Sequence, residues 1–175
     1  MDESLRGQLL IAAPSLYDFF RRTVVLMVEH NEQGAFGVVL NRASDSSVDD
    51  VVPALASLAP NGETVRVGGP VAPDTAVALG LFSEPGEAAG IVVGDLGVID
   101  PDDPECEVRE MRVYAGHAGW GPGQLESELE RDAWIVEPAS PEDPFRDGDL
   151  WSFLLQRRGG EFALLARMPE DPSMN

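Results

Sequence analysis

Three apolar stretches near the start of the chain lack the alternation of a one-sided strand: Leu9 to Ala13, Thr23 to Val28 and Ala35 to Leu40. A strand that is apolar at consecutive positions has to be covered on both faces. That requirement constrains the fold more than any other feature, because it calls for a sheet with helices packed on it. Asn31-Glu32-Gln33-Gly34 supplies turn chemistry between the second and third runs, so these two are predicted to pair as a β-hairpin. Further strands are predicted around Val65 to Val67, Ala76 to Leu81, Ile91 to Val93, Val108 to Tyr114, Trp134 to Val136 and Glu161 to Ala166.

Helical spacing recurs between these segments. Val48, Val51, Val52, Leu55 and Leu58 share one face after a Ser46-Ser47 cap, although Pro53 requires a helix that starts near it or bends there. Pro122 to Arg131 is predicted as a surface helix with Pro122 in the first position. In it Leu125 and Leu129 share the buried face, while Glu126, Glu128 and Glu130 point elsewhere. A last helix covers Leu150 to Arg158, with Asp147 or Asp149 as cap and Gly159 as terminator. The stretches 100–104 and 137–149 are read as loops. At 175 residues the expectation is a single α/β domain with a substantial core.

Charge narrows the possible functions. The net charge is −19, and all twelve basic residues are arginine. Duplex DNA repels such a chain at long range, so direct nucleic-acid binding is not expected. Without lysine there is neither a Schiff-base lysine nor a P-loop lysine. Cys106 stands alone, which excludes an internal disulfide and a cysteine zinc cluster, and its acidic surroundings disfavour a thiolate. The acidic start carries no signal-peptide pattern, and no apolar run approaches the ~20 residues of a membrane helix. A cytoplasmic protein is expected, with no membrane contact, no metal and no cofactor.

Three segments are candidates for a binding surface. The first is Tyr114 to Gln124, read as a strand that turns through four glycines into a helix. Gly116, His117, Gly119, Trp120, Gly121, Gln124 and Glu126 belong to it. Its glycines and helix-start N–H groups suit a close or anionic ligand, but the spacing matches neither the dinucleotide fingerprint nor the Walker loop. The alternative is a tight corner with Trp120 as its packing anchor. The second pairs Glu29-His30 with Asn41-Arg42, which fall at opposite ends of the predicted hairpin. There Asn41 is expected to stabilise the loop it enters, and His30 the hairpin turn. The third, Gly68-Gly69-Pro70-Val71, reads as a shaped turn, with Asp74 placed to bond nearby backbone. No nucleophile elbow and no zinc-protease helix is present, and neither His30 nor His117 has an evident nucleophile to serve.

Read in order, Gly7 to Ala12, Thr23 to His30, Gly34 to Arg42, Gly68 to Val71, Gly116 to Glu128 and Trp134 resemble the YqgE/AlgH family of bacterial proteins. The run Ala118 to Glu126 is the most specific part, and the likeness extends to residues 169–173. The resemblance implies an α/β fold with a branched, partly barrel-like mixed β-sheet surrounded by helices in a single domain. It also implies a bacterial, cytoplasmic protein. It brings no activity, and the label of transcriptional regulator often given to the family attaches to no DNA-reading element here. Members usually have Tyr where this chain has His117, and many have a Leu-His pair where Leu79-Gly80 falls.

The sequence therefore favours a non-enzymatic interaction or regulatory protein with a protein partner. A small anionic-ligand binder or an unrecognised enzyme using the same corner is the alternative, and a transcriptional regulator is the second alternative.

Overall fold

The structure, a computed structural model, describes residues 4–16, 20–55, 58, 63–102 and 105–167. The expected likeness at residues 169–173 lies outside them. Gly7 starts β1 (Gln8–Ala12), and the hairpin forms as predicted from β2 (Val24–Asn31) and β3 (Gly34–Val39). Two elements were not foreseen, β4 (Ala43–Ser47) and later β8. The first has a plain cause: Ala43-Ser44-Asp45-Ser46-Ser47 has no apolar pattern at all.

Ser47 does cap a helix, its hydroxyl accepting from the Asp50 N–H. That helix, α1 (Val48–Val51), lasts one turn, and a 3-10 turn over Pro53–Leu55 replaces its continuation. The proline ring forbids the next α-helical turn, and Val48 and Leu55 are buried regardless.

The chain continues through β5 (Thr64–Val67), β6 (Val71–Phe82), β7 (Gly90–Val93), β8 (Leu96–Ile99), β9 (Val108–Trp120), α2 (Gln124–Glu130), β10 (Trp134–Pro138), α3 (Leu150–Arg158) and α4 (Glu161–Leu165). Asp149 caps α3 through the Ser152 N–H, and Gly159 ends it at φ 78°. The strand predicted for Glu161 to Ala166 is instead α4. Five consecutive apolar residues carry no period that separates strand from helix. Here Phe162 and Leu165, one turn apart, pack on the core while Leu164 stays exposed.

The ten strands of the described residues share one sheet, in the order β10-β1-β2-β3-β9-β6-β8-β7, with β5 bridging β4 and β9. It is mixed and branched. Along one edge β9 carries β6, and along the other it carries β5 in parallel at Tyr114–Ala115 and β3 at Ala118–Trp120. The end strands β10 and β7 do not pair, so the sheet is open rather than a closed barrel.

Two-sided burial is realised as the apolar runs require. Leu9, Ile11, Leu26 and Val38 face α3 through Leu150, Trp151, Leu154 and Leu155. Leu10, Val25, Met27 and Val39 face the opposite way, toward Trp120, Leu125 of α2 and Trp134. A third cluster lies between α1 and the β5, β6, β8 and β9 strands, with Cys106 half-buried at its margin. No helix among the described residues is long and apolar enough to cross a membrane.

Candidate functional site

The segment read as a glycine turn is strand as far as Trp120, and only residues 121–123 turn. The reason is backbone contact. Gly116, at φ 75°, and Gly69, at φ 155°, lie where two chain segments cross, and a Cβ on Gly69 would fall onto the His117 carbonyl. A Cβ on Gly116 would in turn meet the Gly69 carbonyl oxygen. Gly68 completes the crossing by donating to Ala115 O at 2.8 Å and accepting from the Val39 N–H at 2.8 Å. These three glycines therefore serve close approach of the chain to itself. Pro70 is exposed beside them, and Asp74 makes no side-chain hydrogen bond among the described residues.

Beyond Trp120 the corner closes on itself. Gly121 N–H donates to Gln124 Oε1 at 3.0 Å, and Gln124 N–H donates back to Gly121 O at 3.1 Å. The helix begins at Gln124, with Gly123 as cap at φ 76°, so Pro122 is not its first residue. The N–H of Gly121, expected to await an anion, is already engaged.

Glu128, on α2, ties the corner to both tryptophans. One carboxylate oxygen accepts the indole N–H of Trp120 at 2.9 Å and of Trp134 at 2.8 Å, and the other accepts Gln124 Nε2 at 3.1 Å. The expectation that Glu128 points away from the core is corrected here. Buried indoles need an acceptor, and the carboxylate one turn after Gln124 supplies it. Trp120 and Trp134 stand edge to face with centroids 6.1 Å apart, and Phe20 stacks on the first and meets the second edge-on. Each indole is only 6% exposed. Their outer edges wall a cleft of about 430 Å³ together with Ser15, Leu16, Phe20 and Arg131.

The other candidates lie elsewhere. A bulge between Met27 and Glu29 shifts the phase of β2 and turns His30 toward α2. His30 Nδ1 accepts the Leu5 N–H at 2.9 Å, and Nε2 meets Glu126 Oε2 at 3.1 Å. His30 thus ties the N-terminal segment to α2 instead of stabilising the hairpin turn. Glu126 titrates below the ordinary glutamate range because its own backbone N–H bonds it and His30 adds a second bond. His117 projects to the face opposite Trp120, its ring 4.6 Å from that of Phe36, and burial lowers its pKa. Gly119 touches the cleft through its backbone.

At the far end of the hairpin, Asn41 Oδ1 accepts the Val24 N–H and Nδ2 donates to Arg22 O, both at 2.9 Å, so Asn41 holds the loop before β2 rather than the loop it enters. Arg42 donates to Arg21 O. The candidate residues therefore divide among a cleft wall (Gly119, Trp120, Gln124) with Gly121 bonded beside it, a backbone crossing (Gly68, Gly69, Gly116), structural bonds (His30, Asn41, Arg42, Glu126), a ring contact (His117) and an exposed Pro70. Trp134, Glu128, Phe20 and Leu16 were missed. Two tryptophans flanking a short acidic helix were the sequence signal for Glu128 and Trp134, whereas Leu16 and Phe20 had none.

The AlgH-like family model matches residues 9–163. The chain is 43% identical to a UPF0301 protein of Streptomyces coelicolor over 98% of its own length and 96% of that protein. It is 42% identical to a UPF0301 protein of Mycobacterium tuberculosis over 97% of its length and 90% of that protein. Among solved structures, it superposes on protein DIP2367 of Corynebacterium diphtheriae with a TM-score of 0.85 at 31% identity, covering 95% of this chain and 94% of that one. The AlgH protein of Pseudomonas aeruginosa gives a TM-score of 0.73 at 30% identity, with 97% and 98% covered. These matches extend over nearly the whole chain, and the protein belongs to the AlgH-like family.

Proposed function

We infer that this protein works by binding a partner protein, in the cytoplasm, through the cleft walled by Trp120 and Trp134. The observation that carries this reading is a rigid aromatic wall held by one carboxylate and bordering about 430 Å³ of open space. Leu16 and Phe20, half-buried against the indole edges, present the apolar surface of the cleft, and a wall already fixed by Glu128 loses little entropy on binding. The polar groups of the corner engage one another rather than an outside group. Glu128 accepts three N–H donors, which is the arrangement of a support and not of a poised base.

The partner best suited to this surface presents an apolar side chain flanked by basic residues. Leu16, Phe20 and the indole edges take the first, and the overall charge of −19 steers the second. Any regulation of transcription then runs through that partner rather than through DNA contact.

Ser15 is exposed at the cleft mouth, so Ser15→Trp blocks it without touching the core. A partner recovered by co-purification is expected to bind the purified Ser15→Trp chain at least ~10-fold more weakly, about 1.4 kcal/mol. Equal affinity for both chains contradicts the reading.

A further inference from the structure

Away from the Trp cleft, where the end of β3, β4 and β5 meet the 146–150 segment, lies a second and smaller cavity of about 190 Å³. Arg66, Arg146, Asn41, Gly148 and Leu150 line it. Two buried polar groups nearby lack a hydrogen-bond partner, Arg66 Nε and the Tyr114 hydroxyl. They are paired residues on adjacent parallel strands, β5 and β9, so their side chains leave the sheet on the same face. Tyr114 is fully buried, and the charges of Arg112, Arg66 and, in the opposite sense, Glu63 act on it. Burial keeps its hydroxyl protonated and neutral. A guanidinium N–H left unpaired inside a protein is costly, and Arg66 Nε, on a residue that lines the cavity, marks a missing acceptor.

The charge distribution says which acceptor fits. In a chain of net charge −19, Arg66 and Arg146 both line this cavity, and Arg112 is held at its margin by Asp147. Arg146 is oriented by Asp143, which accepts from its Nε at 2.9 Å, and by the Phe153 ring 4.8 Å beneath its guanidinium. Asp147 also borders the cavity, but it is 87% exposed and its Oδ1 accepts Arg112 Nη2 at 2.9 Å. The cavity is smaller than the ~300–1,000 Å³ typical of drug-sized ligands, which restricts the occupant to a compact group. Two guanidinium forks from separate elements suit a tetrahedral dianion better than a monovalent carboxylate.

We propose that the cavity between Arg66 and Arg146 is a binding site for a phosphoryl group, either free phosphate or the phosphomonoester of a small metabolite. The site is independent of the Trp cleft and of its partner.

The test is calorimetric titration of the full chain at fixed ionic strength, with inorganic phosphate in one arm and glycerol phosphate in the other. Saturable binding is expected, weakened about ten- to a hundredfold by Arg66→Gln and reduced also by Arg146→Gln. Ser15→Trp leaves it unchanged, which separates this site from the proposed interface. An ester that binds at least as tightly as free phosphate assigns a metabolite, and exclusion of the ester assigns inorganic phosphate. Circular dichroism checks each variant. If Arg66→Gln fails to fold, Arg146→Gln, on an exposed segment, decides alone. Absence of saturable binding in both arms, or wild-type affinity in the folded variants, overturns the proposal.

Discussion

Glu128 shows how one side chain sets the character of a surface. Removing its carboxylate by Glu128→Ala strands two indole N–H groups and the Gln124 amide. The expected loss is about 3 kcal/mol of stability in urea unfolding, with altered tryptophan emission, since hydrogen bonds to charged groups contribute ~1.5–3 kcal/mol each. Asp143 is the second such residue and is wholly buried. Burial alone pushes its carboxyl up, but bonds from Arg157, the Ser140 N–H and Arg146 outweigh that and hold it below the usual aspartate range. Asp143→Asn leaves two arginines facing a neutral amide. It is expected to lower unfolding stability by about 3 kcal/mol, at the lower end for a broken buried pair because both arginines keep some solvent.

At the scale of elements, β9 carries the design. It is the longest strand, it branches the sheet, and its glycine segment lets β6 cross closely enough to hydrogen-bond. Gly69→Ala and Gly116→Ala each force a Cβ into a carbonyl at positive φ. Each is expected to cost more than about 1 kcal/mol, seen as a lower melting temperature. The hairpin, the two-faced strands, the Ser47 and Asp149 caps and the end of α3 were legible in the sequence because local chemistry decides them. The strand through Gly116 to Trp120 was not, because glycine gives no strand signal and its pairing partners lie up to 85 residues away, as between Ala35 and Trp120. Nor was α4, whose unbroken apolar run fits either element, nor β4, which has no apolar pattern. The same limit applies to the site. Trp120 and Gln124 were legible from the corner itself, but Leu16 and Phe20 reach the cleft only through tertiary contact.

For the whole molecule, acid is the natural perturbant. Glu126 and Asp143 titrate lower when folded than their ordinary values of 4.5 and 3.8. Their contribution is therefore present above those values and lost as pH falls through the folded pKa, where the unfolded chain already holds the protons. His117 acts in the same direction at higher pH. Its folded pKa lies below the ordinary 6.5, so protonation below that value favours the unfolded chain. Relief of the self-repulsion from −19 charges opposes both only in part. The urea midpoint is expected to be highest near neutral pH and to fall below about 4.5, with a shallower fall in Asp143→Asn.

The chain has three tryptophans, and their indole N–H groups give separate signals in a proton–nitrogen correlation spectrum. Trp120 and Trp134 share Glu128 at the cleft, whereas Trp151 donates to Ala12 O at 2.8 Å deep beneath α3. Titration of the purified partner is predicted to shift the Trp120 and Trp134 signals together and to leave Trp151 in place. A partner that binds while both cleft indoles stay unmoved contradicts the proposal that this face is where the protein meets its partner.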